Sequence, residues 1–198
     1  GLVLNDTSLS SSGDLNLGVH GGDGELAQAP YVAVSNSLMQ VQNVDSGKNS
    51  DTSIRPRADF YKSTLRVVSS GGFCPGGRDF TSSPLLTHWS FTDSRLELTY
   101  DERRFLVFKA PYEMFFDNSV LCRTKWDTTA QKYVDYGSIQ MSLGGGWNTA
   151  HGTFLFKNGS KLCCQRILYS TSETDNHTLP SFNFTFEDSE WFVADANM

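Results

Sequence analysis

The side chains with the most chemistry in this chain are four cysteines, four histidines and a few acidic clusters. Cys74, Cys122, Cys163 and Cys164 are irregularly spaced and match no zinc pattern. Cys163 and Cys164 are neighbours, and in a strand neighbours point to opposite faces, so they would not serve one site. Two readings stay open: free thiols, some buried as small apolar groups, or a disulfide joining Cys122 to Cys163 or Cys164. His20, His88, His151 and His177 lie outside metal-ligand spacing of one another and of the cysteines. Gly144-Gly145-Gly146 lacks the Lys-Ser/Thr of a phosphate loop and reads as a turn, as does Gly21-Gly22-Asp23-Gly24. Asp101, Glu102, Arg103 and Arg104 read as a solvated charge run, and Glu187, Asp188 and Glu190 fit no calcium loop. No nucleophile elbow is present. The expectation is a non-enzymatic protein: no catalytic residue, no metal ligand and no cofactor site is assigned.

The elements that would carry any site follow from composition. The chain has 198 residues, 13% aromatic and 19% charged, with 14 Phe and 17 Gly. That balance favours strands and turns over long solvated helices. The net charge of −6 gives little attraction to phosphates or anionic lipid, so RNA binding is expected to be weak. No run is long enough for an apolar membrane span, and Gly1–Leu4 shows no secretion signal. Sequons at Asn5, Asn158, Asn176 and Asn183 do not decide the compartment.

Residues 1–50 carry five acids against one base and few aromatics, which reads as an extended arm without its own core. Residues 51–198 read as one β-domain. Alternating segments at Phe60–Val68, His88–Phe91, Leu96–Tyr100, Arg104–Phe108, Phe115–Cys122, Tyr136–Leu143, Thr153–Phe156, Lys161–Tyr169, Phe182–Phe186 and Trp191–Val193 are expected strands. Asp117-Asn118 is an expected turn, and Asn158-Gly159 is the strongest hairpin signal. The only helical candidate is Tyr31–Val44, and no internal repeat is evident. Eight to ten short strands at this spacing suggest a sandwich or barrel.

Four stretches resemble the coat proteins of picorna-like viruses, especially the subunit around the fivefold axis. They are Val44–Gly47 leading to Arg57, Ser94-Arg-Leu-Glu-Leu-Thr-Tyr100, Ala110-Pro-Tyr112 with Tyr136-Gly137, and Ser189-Glu-Trp-Phe192. A Gly start also fits release by a viral protease that cuts between Gln and Gly. The resemblance implies an all-β, eight-stranded antiparallel jelly-roll β-sandwich with an extended N-terminal arm. It also implies a structural subunit of the virion, assembled in the host cytoplasm. That subunit would join other capsid subunits in an icosahedral shell around RNA, with outer loops available to a host-cell receptor. A second resemblance competes. His151–Leu162 is similar to the aromatic strand and turn of tumour necrosis factor ligands, which implies a secreted trimeric ligand. A viral fibre head and a β-sandwich enzyme or carbohydrate binder are further alternatives.

Overall fold

The computed structural model describes residues 1–17, 28–45, 55–68, 73–74, 86–99, 106–110, 112–145, 151–170 and 181–193. They form a parallel β-solenoid of seven stacked coils, with no helix among the described residues.

The coils run in chain order. The first holds β1 (Leu2–Asn5), β2 (Ser8–Ser10) and β3 (Leu15–Asn16). The second holds β4 (Tyr31–Ser35), β5 (Leu38–Val41) and β6 (Val44–Asp45), and the third β7 (Arg57–Tyr61), β8 (Thr64–Val67) and β9 (Phe73–Cys74). The fourth holds β10 (Thr87–Thr92), β11 (Arg95–Leu98) and β12 (Leu106–Ala110). The fifth is the longest, with β13 (Tyr112–Asp117), β14 (Val120–Asp127), β15 (Lys132–Asp135) and β16 (Ile139–Gly145). The sixth has β17 (His151–Lys157) and β18 (Lys161–Ser170), and the seventh β19 (Ser181–Glu187) and β20 (Glu190–Phe192).

Each coil contributes to three faces. The first face is the sheet β1-β4-β7-β10-β13-β17-β19. The second is β2-β5-β8-β11-β14-β18-β20. The third begins with β3-β6-β9; β12 lies against β9 and pairs with β16, which pairs with the second half of β18. Every pairing among the described residues is parallel except β14 with β15.

The corner between the first two faces shows why this sequence winds. Asp6, Asn36, Lys62, Asp93, Asn118, Asn158 and Asp188 all have positive φ there. Asn and Asp tolerate that left-handed conformation better than other non-glycine residues. The hydroxyl residue that follows closes a ladder. The backbone N–H groups of Thr7, Ser37, Ser63, Ser94, Ser119 and Ser160 donate to the hydroxyls of Ser37, Ser63, Ser94, Ser119, Ser160 and Ser189, at 2.9–3.1 Å. Each serine hydroxyl in turn donates to a carbonyl at the end of its own first-face strand, at 2.6–2.9 Å. Thus each corner hydroxyl supplies the acceptor for a backbone N–H of the preceding coil, buried at the inner levels of the stack. The rungs of this ladder are 30, 26, 31, 25, 41 and 29 residues apart.

Alternation along the strands sends every second side chain inward, where like stacks on like. Phe60, Phe91, Phe116, Phe156 and Phe186 form one column with ring centroids 4.7–5.0 Å apart and planes within 9° of parallel. Beside it Phe154 and Phe184 stack at 4.5 Å, above buried Met114 and Trp89. On the second face Met39, Leu65, Leu96, Leu121 and Leu162 line the interior. Gly152 is required inside this stack, because a Cβ there would sit 2.5 Å from Phe182 and 2.8 Å from Tyr112.

Several sequence expectations are corrected. The all-β class holds, but the antiparallel jelly roll does not: the strands pair with the coil above and below. Alternation is the same in a half-buried antiparallel sheet and in a solenoid face, so it reports strand identity and not pairing partner. Residues 1–50 do not form an extended arm in their described part. Leu15, Leu17, Val32, Val34, Met39, Val41 and Val44 are buried in the shared core, and β4 and β5 pair directly with β7 and β8. A coil needs only a few inward aliphatics, so a segment poor in aromatics still has a core. Tyr31–Val44 is three strands and not a helix. Asn158-Gly159 does take positive φ, at 53° and 80°, but it turns a coil corner: β17 and β18 belong to different faces. The repeat is real, and it is structural: an Asn/Asp (once Lys) followed by Ser or Thr, once with a Gly between, at unequal intervals.

Candidate binding surface

The fifth coil departs from the others by sending a hairpin outward from the second face. β14 runs past the sheet and pairs antiparallel with β15, from Thr124 opposite Asp135 to Asp127 opposite Lys132. Asp127 sets the turn by accepting hydrogen bonds from the backbone N–H groups of Thr129 (2.8 Å) and Ala130 (3.0 Å). The same bonds, Ala130 first, hold its carboxyl below the usual range. Gln131 takes positive φ and donates from its side chain to the Thr128 carbonyl at 2.6 Å.

Under the hairpin lies a charge cluster on the outside of the second face. Glu97 is buried and accepts from Arg66 at 2.8 Å and from Arg95 at 2.9 Å. Arg95 also pairs with Asp135 on the hairpin and donates to the Cys122 sulfur at 3.2 Å. Arg66 reaches Gln40 at 3.4 Å and lies over the Tyr133 ring at 3.9 Å. Burial pushes the Cys122 thiol far above its ordinary range, against the opposing pull of Arg95. Burial likewise pushes Cys164 up to about 11. Neither is a thiolate near neutral pH, so neither is a ready nucleophile.

The hairpin's outward surface is aromatic and cationic. Trp126 is 46% exposed and meets Tyr133 edge-on at 5.2 Å. Lys125 lies over Tyr136 at 3.7 Å, with Arg123 over the same ring at 4.8 Å. A two-strand tongue carrying an exposed Trp, with its base tied down by the Arg95–Asp135 ion pair, is suited to contact a partner surface.

The outside of the first face is a second candidate. A shallow groove of about 290 Å³ lies there between Phe115, Leu155 and Ser90, rimmed by Thr92, Asp117 and Lys157. Val3, Tyr31 and Tyr61 are exposed lower on the same face.

Among the described residues, those weighed for chemistry in the sequence are not brought together into one site. His88 lies 3.5 Å from Glu113 and against the Phe115 ring. Glu187 pairs with Lys157 and Glu190 with Lys161, while Asp188 serves the corner. Cys122, Cys163 and Cys164 are free and buried, which removes the disulfide alternative. Cys163 contacts Ser138 on the outer side and Cys164 belongs to the core, so the opposite-face expectation holds. Among the described residues no group of three or more His, Cys, Asp or Glu is placed to hold a metal ion. Among the described residues no helix is long and apolar enough to cross a membrane. His20, His177, Asn176, Gly21–Gly24 and Asp101–Arg104 lie outside the described residues, and nothing is described of the side chains of His151 and Cys74. Asn5, Asn158 and Asn183 are exposed, and Asn5 and Asn158 are engaged with Ser35 and Asp117.

The hairpin site was missed in the sequence because its parts are scattered from Gln40 to Tyr136. One signal was available: Trp126-Asp127 and Lys132-Tyr133 flank a short polar turn, a hairpin pattern in its own right. Two stretches that resembled coat-protein strands, Ser94–Tyr100 (described as far as Thr99) and Ser189–Phe192, begin with the same element in different coils, a corner serine followed by a second-face strand. No protein-family model, no curated protein and no solved structure matches the chain.

Proposed function

We propose that this chain is a structural module, a stiff solenoid that builds and spaces part of a larger protein assembly of the fibre or spike type. The hairpin tongue is its contact point for a partner such as a cell-surface receptor. On this reading the chain is not an enzyme and needs no cofactor. The single observation behind it is the unbroken corner ladder, which ties all seven coils into one column. Six steps of about 4.8 Å make that column about 29 Å high. Repeat stacks of this kind are rigid along their axis and present their outer faces for binding. The acidic balance of the chain argues against the genome as that partner.

The shell-subunit expectation drew its geometry from the jelly roll and does not carry over to a solenoid. Its assembly role does. Electron microscopy of native material tests the reading. Slender rods or projections are expected; closed icosahedral shells built from this chain would sink it.

A further inference from the structure

We propose that the outer surface of the first face pairs with the same face of a second copy of this chain, with the two solenoid axes antiparallel. The proposal names a partner for the assembly role above and rests on that reading.

The face is broad and flat enough. Seven strands of four to seven residues span roughly 650 Å² in projection. Side-chain relief raises the accessible area toward the ~800 Å² per partner of a stable interface. Its midline is short or apolar: Val3, Ala33, Ser90, Phe115, Leu155 and Thr185 follow one another in register, interrupted only by Asp59. Val3 is 69% exposed, which is a poor end state for an apolar side chain on a flat sheet.

The arrangement of knob, groove and charge selects the orientation. A twofold axis along β10 brings the third coil of one copy over the fifth coil of the other, and the reverse. Tyr61, half exposed at the end of β7, then falls over the groove beside Thr92, Asp117 and Lys157. Arg57, whose side chain is 56% exposed, falls over Glu113. Both contacts occur twice, as an isologous interface requires. Asp59, which faces Phe115 in this arrangement, is already held by Arg57 at 2.6 Å. The alternative twofold, along the solenoid axis, sets Asp117 against Glu113 and leaves the groove unfilled. Like charges at that spacing disfavour it.

Sedimentation velocity on the full chain across a dilution series tests the pairing. A reversible dimer is expected. Arg57→Glu alone and Glu113→Arg alone each weaken it at least tenfold, and the double exchange recovers part of the loss, since Asp59 stays without Arg57. Ser90 sits on the proposed axis, so Ser90→Cys gives a covalent dimer on mild oxidation, whereas Ser10→Cys on the second face does not. All four positions are on outer faces, and thermal melts confirm that the variants fold. A monomer at every concentration, with no Ser90→Cys crosslink, overturns the pairing. So does a dimer indifferent to both charge changes. Either result leaves the rod reading standing if native material still shows rods, whereas shells in place of rods would remove the assembly role itself.

Discussion

The corner between the first two faces and the hairpin on the second face are both turns that use a left-handed residue. They differ in what stands behind them. Behind the five corners from Ser37 to Ser160 is a buried serine hydroxyl bonded to the preceding coil, and the chain of bonds runs on from Thr7 to Ser189. Behind the hairpin turn is solvent. Asp127 and Gln131 close the turn on its own backbone, and the tongue touches the second face through Asp135 at its base and Tyr133 nearer the turn. The corner therefore belongs to a column in which each coil leans on its neighbours, and the hairpin is a local addition to one coil.

Breaking the column should cost most. Phe116→Ala removes a ring stacked on both sides, 5.0 Å from Phe91 and 4.7 Å from Phe156. The loss should be about 3–5 kcal/mol, read by denaturant unfolding. Ser94→Ala should cost about 1–3 kcal/mol, because the buried N–H of Ser63 loses its acceptor, while the Thr92 carbonyl keeps only the Lys62 N–H. Equal losses from Ser94→Ala and from a serine outside the ladder, such as Ser10→Ala, would contradict the role given to the ladder.

The buried thiols make the column sensitive to alkali. Cys164 ionises near 9 when unfolded and is pushed up to about 11 by burial in the fold. A raised folded value means that the stabilisation is complete below pH 9 and is lost as pH rises from 9 to 11. Melting temperature should fall across that window, and Cys164→Ala should flatten the fall. In the other direction, Lys62→Asn should stabilise by about 1 kcal/mol, since Lys62 holds φ of 47° without the local hydrogen bonding that Asn offers. The smallest effect is expected at the tongue. Trp126→Ala should change unfolding free energy by less than about 0.5 kcal/mol while weakening partner capture, which separates binding from folding.

Much of the strand content was legible, and for a definite reason. Phe182-Asn-Phe-Thr-Phe186 alternates because one face of β19 points inward, and Asp117-Asn118 turns because Asn118 is left-handed. Pairing was not legible from alternation. The decisive signal was the recurrence of Asn36-Ser37, Asp93-Ser94, Asn118-Ser119 and Asp188-Ser189, with Lys62-Ser63 and Asn158-Gly-Ser160 as variants. It escaped notice because its interval ranges from 25 to 41 residues, so no fixed period exists. The hairpin site was illegible for a related reason: Gln40, Arg66, Glu97 and Cys122 lie far apart in the chain, and only stacking the coils puts them in one outer column.

The corner hydroxyl also has a meaning for how such a chain tolerates change. Coil length varies by 16 residues between the fourth and fifth steps, yet phase is recovered at the next serine. The ladder behaves as a counter that resets at every turn: it is indifferent to how much chain arrives and strict about which atom closes the round. New loops can therefore be accepted between resets without disturbing those above and below. The fifth coil, with its tongue, shows what one such insertion looks like once it has been put to use.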